Sequence, residues 1–190
     1  MSWPVVLVFG YLLLGVELVI PGVLRLGPST VAPSFVLPFV VFIAMFAPAS
    51  RAYWTALILG LSLDLLTPWG GNLVVPGPRA LGFVAAVYLV LTVRTIINRN
   101  TLALIVFSVL GGILSQIVIV ALLTFRSMYS GPTPWLPREE LVQRIMSSLY
   151  TGGSAALLSL LLFSVISLFR FQDPYTRGRA RMTGGMAARF

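Results

Sequence analysis

Twenty-five consecutive residues, Thr101–Phe125, carry no charged side chain. A helix crossing the hydrocarbon of a bilayer needs about 20 apolar residues, so this run is long enough to span one. Other stretches of the chain read the same way. The apolar runs are continuous rather than alternating, which selects helices over a membrane β-barrel. Composition agrees. The 190 residues are 58% hydrophobic and 9% charged, with a mean hydropathy of +0.98, where soluble domains carry about 25% charged residues. That much apolar surface cannot be buried in one small core. The expected solvent is lipid, and the expected fold class is all-α: a polytopic membrane protein with six transmembrane helices.

The spans are placed as follows. The first runs from Trp3 to Val23, with Pro4 in its first turn, Glu17 inside it and Pro21-Gly22 ending it. The second begins near Pro33-Ser34 and ends at Pro48; its apolar body, Phe35–Ala47, is short for a bilayer, which leaves a bend at Pro38 or a re-entrant path open. The third covers Arg51–Leu66, with Tyr53 and Trp54 at one end and Trp69 beyond the other, as interfacial aromatics would be. A turn rich in Gly and Pro, Thr67–Pro78, separates it from a fourth span over Arg79–Ile97. The polar turn Asn98-Arg99-Asn100 leads to the fifth, Thr101–Phe125. The longest polar segment, Arg126–Arg144, precedes the sixth, Leu141–Phe169, and its Pro137-Arg-Glu-Glu reads as a helix start. Residues 1–169 thus form the transmembrane domain, and Arg170–Phe190 an Arg-rich tail expected to be disordered.

Six spans put both termini on one side. That side holds Arg51, Arg94, Arg99 and the five arginines of the tail; the other holds Arg25, Arg79, Arg126, Arg138 and Arg144 together with Glu139 and Glu140. The arginine-rich side is expected to be cytoplasmic. The opening MSWP has no basic segment, so the first span reads as a retained helix rather than a signal peptide. The net charge of +8 reads as loop bias and contact with anionic lipid headgroups, not nucleic-acid binding. For the tail, docking to a cytoplasmic protein is the sharper alternative.

The chain has no Cys, His or Lys, which removes thiol and imidazole chemistry, Schiff bases and His-metal sites. No catalytic residue, metal ligand or cofactor site is expected. What remains is a small set of charges inside apolar helices. Asp64 is set inside the run ALILGLSLDLL, and Ala56, Gly60 and Asp64 share one helical stripe. Small residues there admit a neighbouring backbone, with the carboxylate reaching a donor on it. The candidate donors are Arg79, the free N–H groups opening the fourth helix, and Asn72. Asp64 therefore reads either as an ion, proton or substrate site or as a packing carboxylate that fixes helix register. Glu17 reads as a snorkelling carboxylate, a partner of Arg25, or part of a polar cluster with Asp64. Spaced small residues mark helix packing: Gly82/Ala86, Ser108/Gly112, Gly111/Ser115 and Ser148/Gly152/Ala156. Gln116 is expected to bond across helices.

The run GLSLDLLTPWGGN, followed by the apolar ALGFVAAVYLVLTVR, resembles the rod shape-determining protein MreD family. That family's G-x-x-x-D-L run and Pro/Gly turn fall on Gly60, Asp64, Leu65, Pro68 and Gly70/Gly71, and its basic helix exit on Arg94. The family's Pro-Asp at the start of the second helix is here Pro33-Ser34. The detailed likeness covers Ala56–Asn100; the remainder agrees in length, hydropathy and topology. The resemblance implies a non-catalytic scaffold of the bacterial cell-elongation machinery in the inner membrane. It implies as partners an MreC-like periplasmic protein, an MreB-like filament, a RodA-like glycosyltransferase and a penicillin-binding protein. It also implies a bundle similar to the vitamin-binding subunits of energy-coupling-factor transporters, and such a subunit is the rival reading. No small-molecule substrate is expected under the first reading.

Overall fold

The computed structural model describes residues 3–19, 31–67, 75–95, 100–129 and 137–169. Within them the chain forms six α-helices, one short 3-10 helix and no strand: α1 (Trp3–Val19), α2 (Val36–Phe46), α3 (Ala49–Leu66), α4 (Pro78–Val93), α5 (Thr101–Ser127), α6 (Pro137–Ser164) and the 3-10 turn Ile166–Phe169. The expected helix 1 residues beyond Val19, the turn from Pro68, the end of helix 4 from Ile96 and the Arg-rich tail lie outside the described residues. Several ends differ from the sequence reading: α3 starts at Ala49 rather than Arg51, α4 stops at Val93, with Arg94 and Thr95 in a turn, and α5 runs on to Ser127. Helix α6 starts at Pro137, as its Pro-Arg-Glu-Glu signal implies, but stops at Ser164, and the expected last turn is a 3-10 helix.

Helix α2 is the hub. It has only 11 residues, and all but Phe46 are buried. It touches each of the other five α-helices. Its sequence, VLPFVVFIAMF, is apolar on every face, which suits a helix surrounded by protein. Pro38 does not interrupt it. That proline lies in the first turn, where the missing N–H has no helical acceptor to lose.

At about 1.5 Å per residue, α2 is roughly 16 Å long and α3 roughly 27 Å. Only Ala47 and Pro48 join them, so their ends there are level. The start of α2 therefore lies about 10 Å short of the far end of α3. Residues Val31–Phe35, which are not helical, bring the chain to that depth.

The small-residue stripes do pack helices. A Cβ on Gly82 would stand 2.5 Å from the Ser115 Oγ, and one on Gly111 would stand 3.2 Å from the Ala86 Cβ, so α4 and α5 meet along these positions. Gly112 faces Ser148, and Gly152 faces Val109, across α5 and α6. At the opposite end of α2 from its start, Phe169 is fully buried, with its ring 5.3 Å from Phe9 and 5.7 Å from Phe42.

A few polar side chains lie inside the apolar core, and many large apolar ones lie outside. Asp64, Ser108, Ser115, Ser148, Thr151 and Ser159 are buried, whereas Leu12, Leu102, Leu157 and Leu160 are more than 60% exposed. Two segments, Thr101–Ser127 and Leu141–Ser164, are long and apolar enough to cross a membrane.

Candidate functional site

Two carboxylates late in one helix each cap the start of the next. Asp64, on α3, is completely buried. Its Oδ2 accepts the N–H groups of Gly77 at 2.9 Å, Arg79 at 3.0 Å and Ala80 at 3.4 Å. These are the orphan donors of the first turn of α4, and a negative charge there is favoured by the helix dipole. Gly77 turns the chain into that cap with φ +119°, a conformation that suits glycine. Gly60 lies one turn before Asp64. A Cβ on it would stand 2.5 Å from the Ala80 Cα and 2.8 Å from the Ala80 nitrogen. The G-x-x-x-D spacing thus has one physical meaning: the glycine lets the first turn of α4 touch α3, and the aspartate holds it there.

The Arg79 side chain also reaches back to α3. Its Nη1 donates to the Leu63 carbonyl at 3.0 Å, while its backbone N–H serves Asp64. The guanidinium also lies in the field of Asp64, Glu17 and Arg144.

Glu17 repeats the device on α2. Its Oε2 accepts the N–H groups of Phe35 and, at 3.1 Å, of Val36. Glu17 therefore does not snorkel; it is tied to the start of the hub helix. Its suggested partner Arg25 lies outside the described residues, as does Asn72.

Helix α6 completes the grip. The Ser34 N–H donates to Thr151 Oγ1 at 2.9 Å, and Ser154 Oγ donates to the Ser34 carbonyl at 2.7 Å. Non-helical backbone deep in a bundle has to find such partners. Ser34 itself acts as a cap, accepting the Leu37 N–H at 3.3 Å. The sequence held this signal, since Ser just before an apolar run marks a helix start. Its partners on α6, more than 100 residues away, leave no local trace.

Arg94 works at the other end. Its Nη1 donates to the carbonyls of Ala44 at 2.8 Å and Ala47 at 2.7 Å, which are among the unsatisfied acceptors ending α2. The hub helix thus has a carboxylate at its positive end and a guanidinium at its negative end. The basic residue ending α4 is a cap for α2, a contact that the sequence reading did not contain.

No family model, curated protein or solved structure matches the chain.

The geometry separates the candidate residues into two groups. Gly60, Asp64, Arg79 and Glu17 lie toward one end of the bundle, and Arg94 toward the other. Gln116 is bonded across helices, its Oε1 accepting from Arg144 Nη1 at 3.3 Å. Among the described residues no three His, Cys, Asp or Glu side chains cluster as a metal site. The cavity between α1 and α3, lined by Trp3, Val6, Leu7, Thr55, Ile58 and Leu59, has about 10 Å³ of room, enough for about one water molecule. Chemically, Glu17, Asp64 and Arg94 are engaged as helix caps. Their arrangement fixes the positions of α2 and α4.

Proposed function

We propose that this chain is a multi-pass protein of the bacterial inner membrane, with six spans and both termini in the cytoplasm, and that it serves as a non-catalytic scaffold of the cell-elongation machinery. Lipid as the solvent is supported by the outward-facing leucines of α1, α5 and α6 and by the two segments of spanning length. The orientation follows from the arginine count in the loops and tail.

One observation carries the scaffold reading. Glu17, Asp64 and Arg94 are bonded to backbone groups at helix ends, so the charges that would otherwise suggest an ion or substrate site act as structural pins. A bundle whose polar groups are committed to its own helix ends suits a protein that holds partners. The partners are those that the MreD resemblance implies: an MreC-like periplasmic protein, an MreB-like filament, a RodA-like glycosyltransferase and a penicillin-binding protein. Vitamin-binding pockets of the rival transporter subunit would need several hundred Å³ lined by converging polar groups. The small cavity beside α1 is apolar in character and far below that size.

The deciding experiment is affinity purification from mildly solubilised membranes, followed by protein and small-molecule mass spectrometry. Co-purification of a periplasmic coiled-coil protein or a filament protein is the expected result. A stoichiometric vitamin, or transporter ATPases in place of those partners, would overturn the scaffold reading.

A further inference from the structure

Helix α1 is held differently from the rest of the bundle. Of its 17 residues only Val6, Gly10 and Leu14 are buried, a single narrow stripe. It touches α2, α3 and the 3-10 turn, but not α4, α5 or α6. Val8, Tyr11, Leu12 and Val19 are each more than half exposed. In lipid, apolar side chains gain little by leaving the bilayer for a helix interface, so packing and hydrogen bonds decide whether a helix stays docked. For α1 the polar hold is Glu17, bonded to the N–H groups of Phe35 and Val36. The inner hold is a ring contact, Phe9 on Phe169. Beneath α1 lies α2, whose burial depends in part on this cover.

We propose that α1 is a gate helix: it is latched shut by Glu17 on the start of α2, and its release opens the bundle sideways onto the hub helix. Helices α3 and α4 stay together, because Asp64 and the Gly60–Ala80 contact join them independently of α1. The motion is a swing about the Phe9–Phe169 contact, with the Glu17 end moving furthest. The inference rests on the membrane-spanning reading and not on the scaffold reading. Release of the chain from native membranes by alkaline carbonate would overturn the first reading and is scored separately.

The chain contains no cysteine, so paired spin labels can be placed at will. Val19→Cys with Leu61→Cys reports the moving end of α1 against α3, and Leu61→Cys with Leu81→Cys reports α3 against α4; all three positions are exposed. Distances are measured by pulsed electron resonance on the full chain in phosphatidylcholine/phosphatidylglycerol vesicles, in wild type, Glu17→Gln and Glu17→Ala. The expected result is a second, longer Val19–Leu61 distance whose weight relative to the short one rises about tenfold in Glu17→Ala and less in Glu17→Gln, which keeps an acceptor. The Leu61–Leu81 distance stays single throughout. A single unchanged Val19–Leu61 distance in Glu17→Ala overturns the gate, as does broadening of both pairs together. If Glu17→Ala does not yield helical protein, Glu17→Gln is scored by the same two criteria.

Discussion

Gly60 and Ala80 are in backbone contact: a side-chain carbon on the glycine would stand 2.5 Å from the Ala80 Cα. The obstacle is backbone rather than the end of a flexible side chain, so it cannot rotate away. Gly60→Ala is expected to force α4 off α3 and cost about 1–3 kcal/mol, with Gly60→Val costing more. Gly153, which meets nothing within 4 Å, is the control, and Gly153→Ala should be neutral or slightly stabilising. Denaturant titration of the purified protein in micelles, read by circular dichroism, checks both.

The cap at Asp64 predicts a graded series. Asp64→Ala leaves the Gly77, Arg79 and Ala80 amides without their buried acceptor and should destabilise by about 1–3 kcal/mol. Asp64→Asn keeps one carbonyl oxygen and loses the charge–dipole term, so its cost should be roughly half. Equal stability of wild type and Asp64→Ala in the same titration would mean that the carboxylate does not hold α4.

Arg94 should resist conservative replacement. One guanidinium nitrogen serves both the Ala44 and Ala47 carbonyls from a helix that is distant in sequence. Arg94→Met is expected to cost about 1.5–3 kcal/mol, the worth of hydrogen bonds to a charged group. Arg94→Lys should recover only part of that, because its shorter ammonium-bearing chain lacks the fork. The comparison of the two variants in one unfolding series tests the cap directly.

Ser115 predicts a gain. Its hydroxyl is buried and without a hydrogen-bond partner, and it sits in the notch left by Gly82. Ser115→Ala removes that oxygen and is expected to be neutral or to stabilise by up to about 1 kcal/mol. Gly82→Ala fills the notch from the other side and should destabilise by about 1–3 kcal/mol. In the double variant the clash with the Ser115 oxygen is gone, so the two effects should fail to add.

The grip of α6 on the non-helical segment is a further coupled pair. Thr151→Val and Ser154→Ala each remove a bond to Ser34. Each should cost about 1–2 kcal/mol, because a buried backbone group is left unpaired. A double-mutant cycle should return an interaction of at least 0.5 kcal/mol, since both act on one residue. Additive costs would show that the two bonds do not form one support.

The sequence by itself determined the helical class, the number of helices and most of their ends. The length of apolar runs and the position of Pro, Gly and polar turns carry that information locally. It also placed Gly60 and Asp64 on one stripe and pointed Asp64 at the free amides of the next helix, because a lone carboxylate among leucines has to find donors nearby. Tertiary structure alone decided the rest. That the shortest helix, α2, is the hub follows from which helices surround it, and a short apolar run reads the same whether it is exposed to lipid or enclosed by protein. That Glu17 caps α2 rather than reaching for water, and that Arg94 closes the same helix from the far side, depends on pairings between distant segments. Hydrogen bonds across 47 residues, or 120 in the case of Ser154 and Ser34, have no period in the chain. They exist only once the helices are packed, when each helix end must satisfy its backbone from whatever side chain the fold has brought beside it.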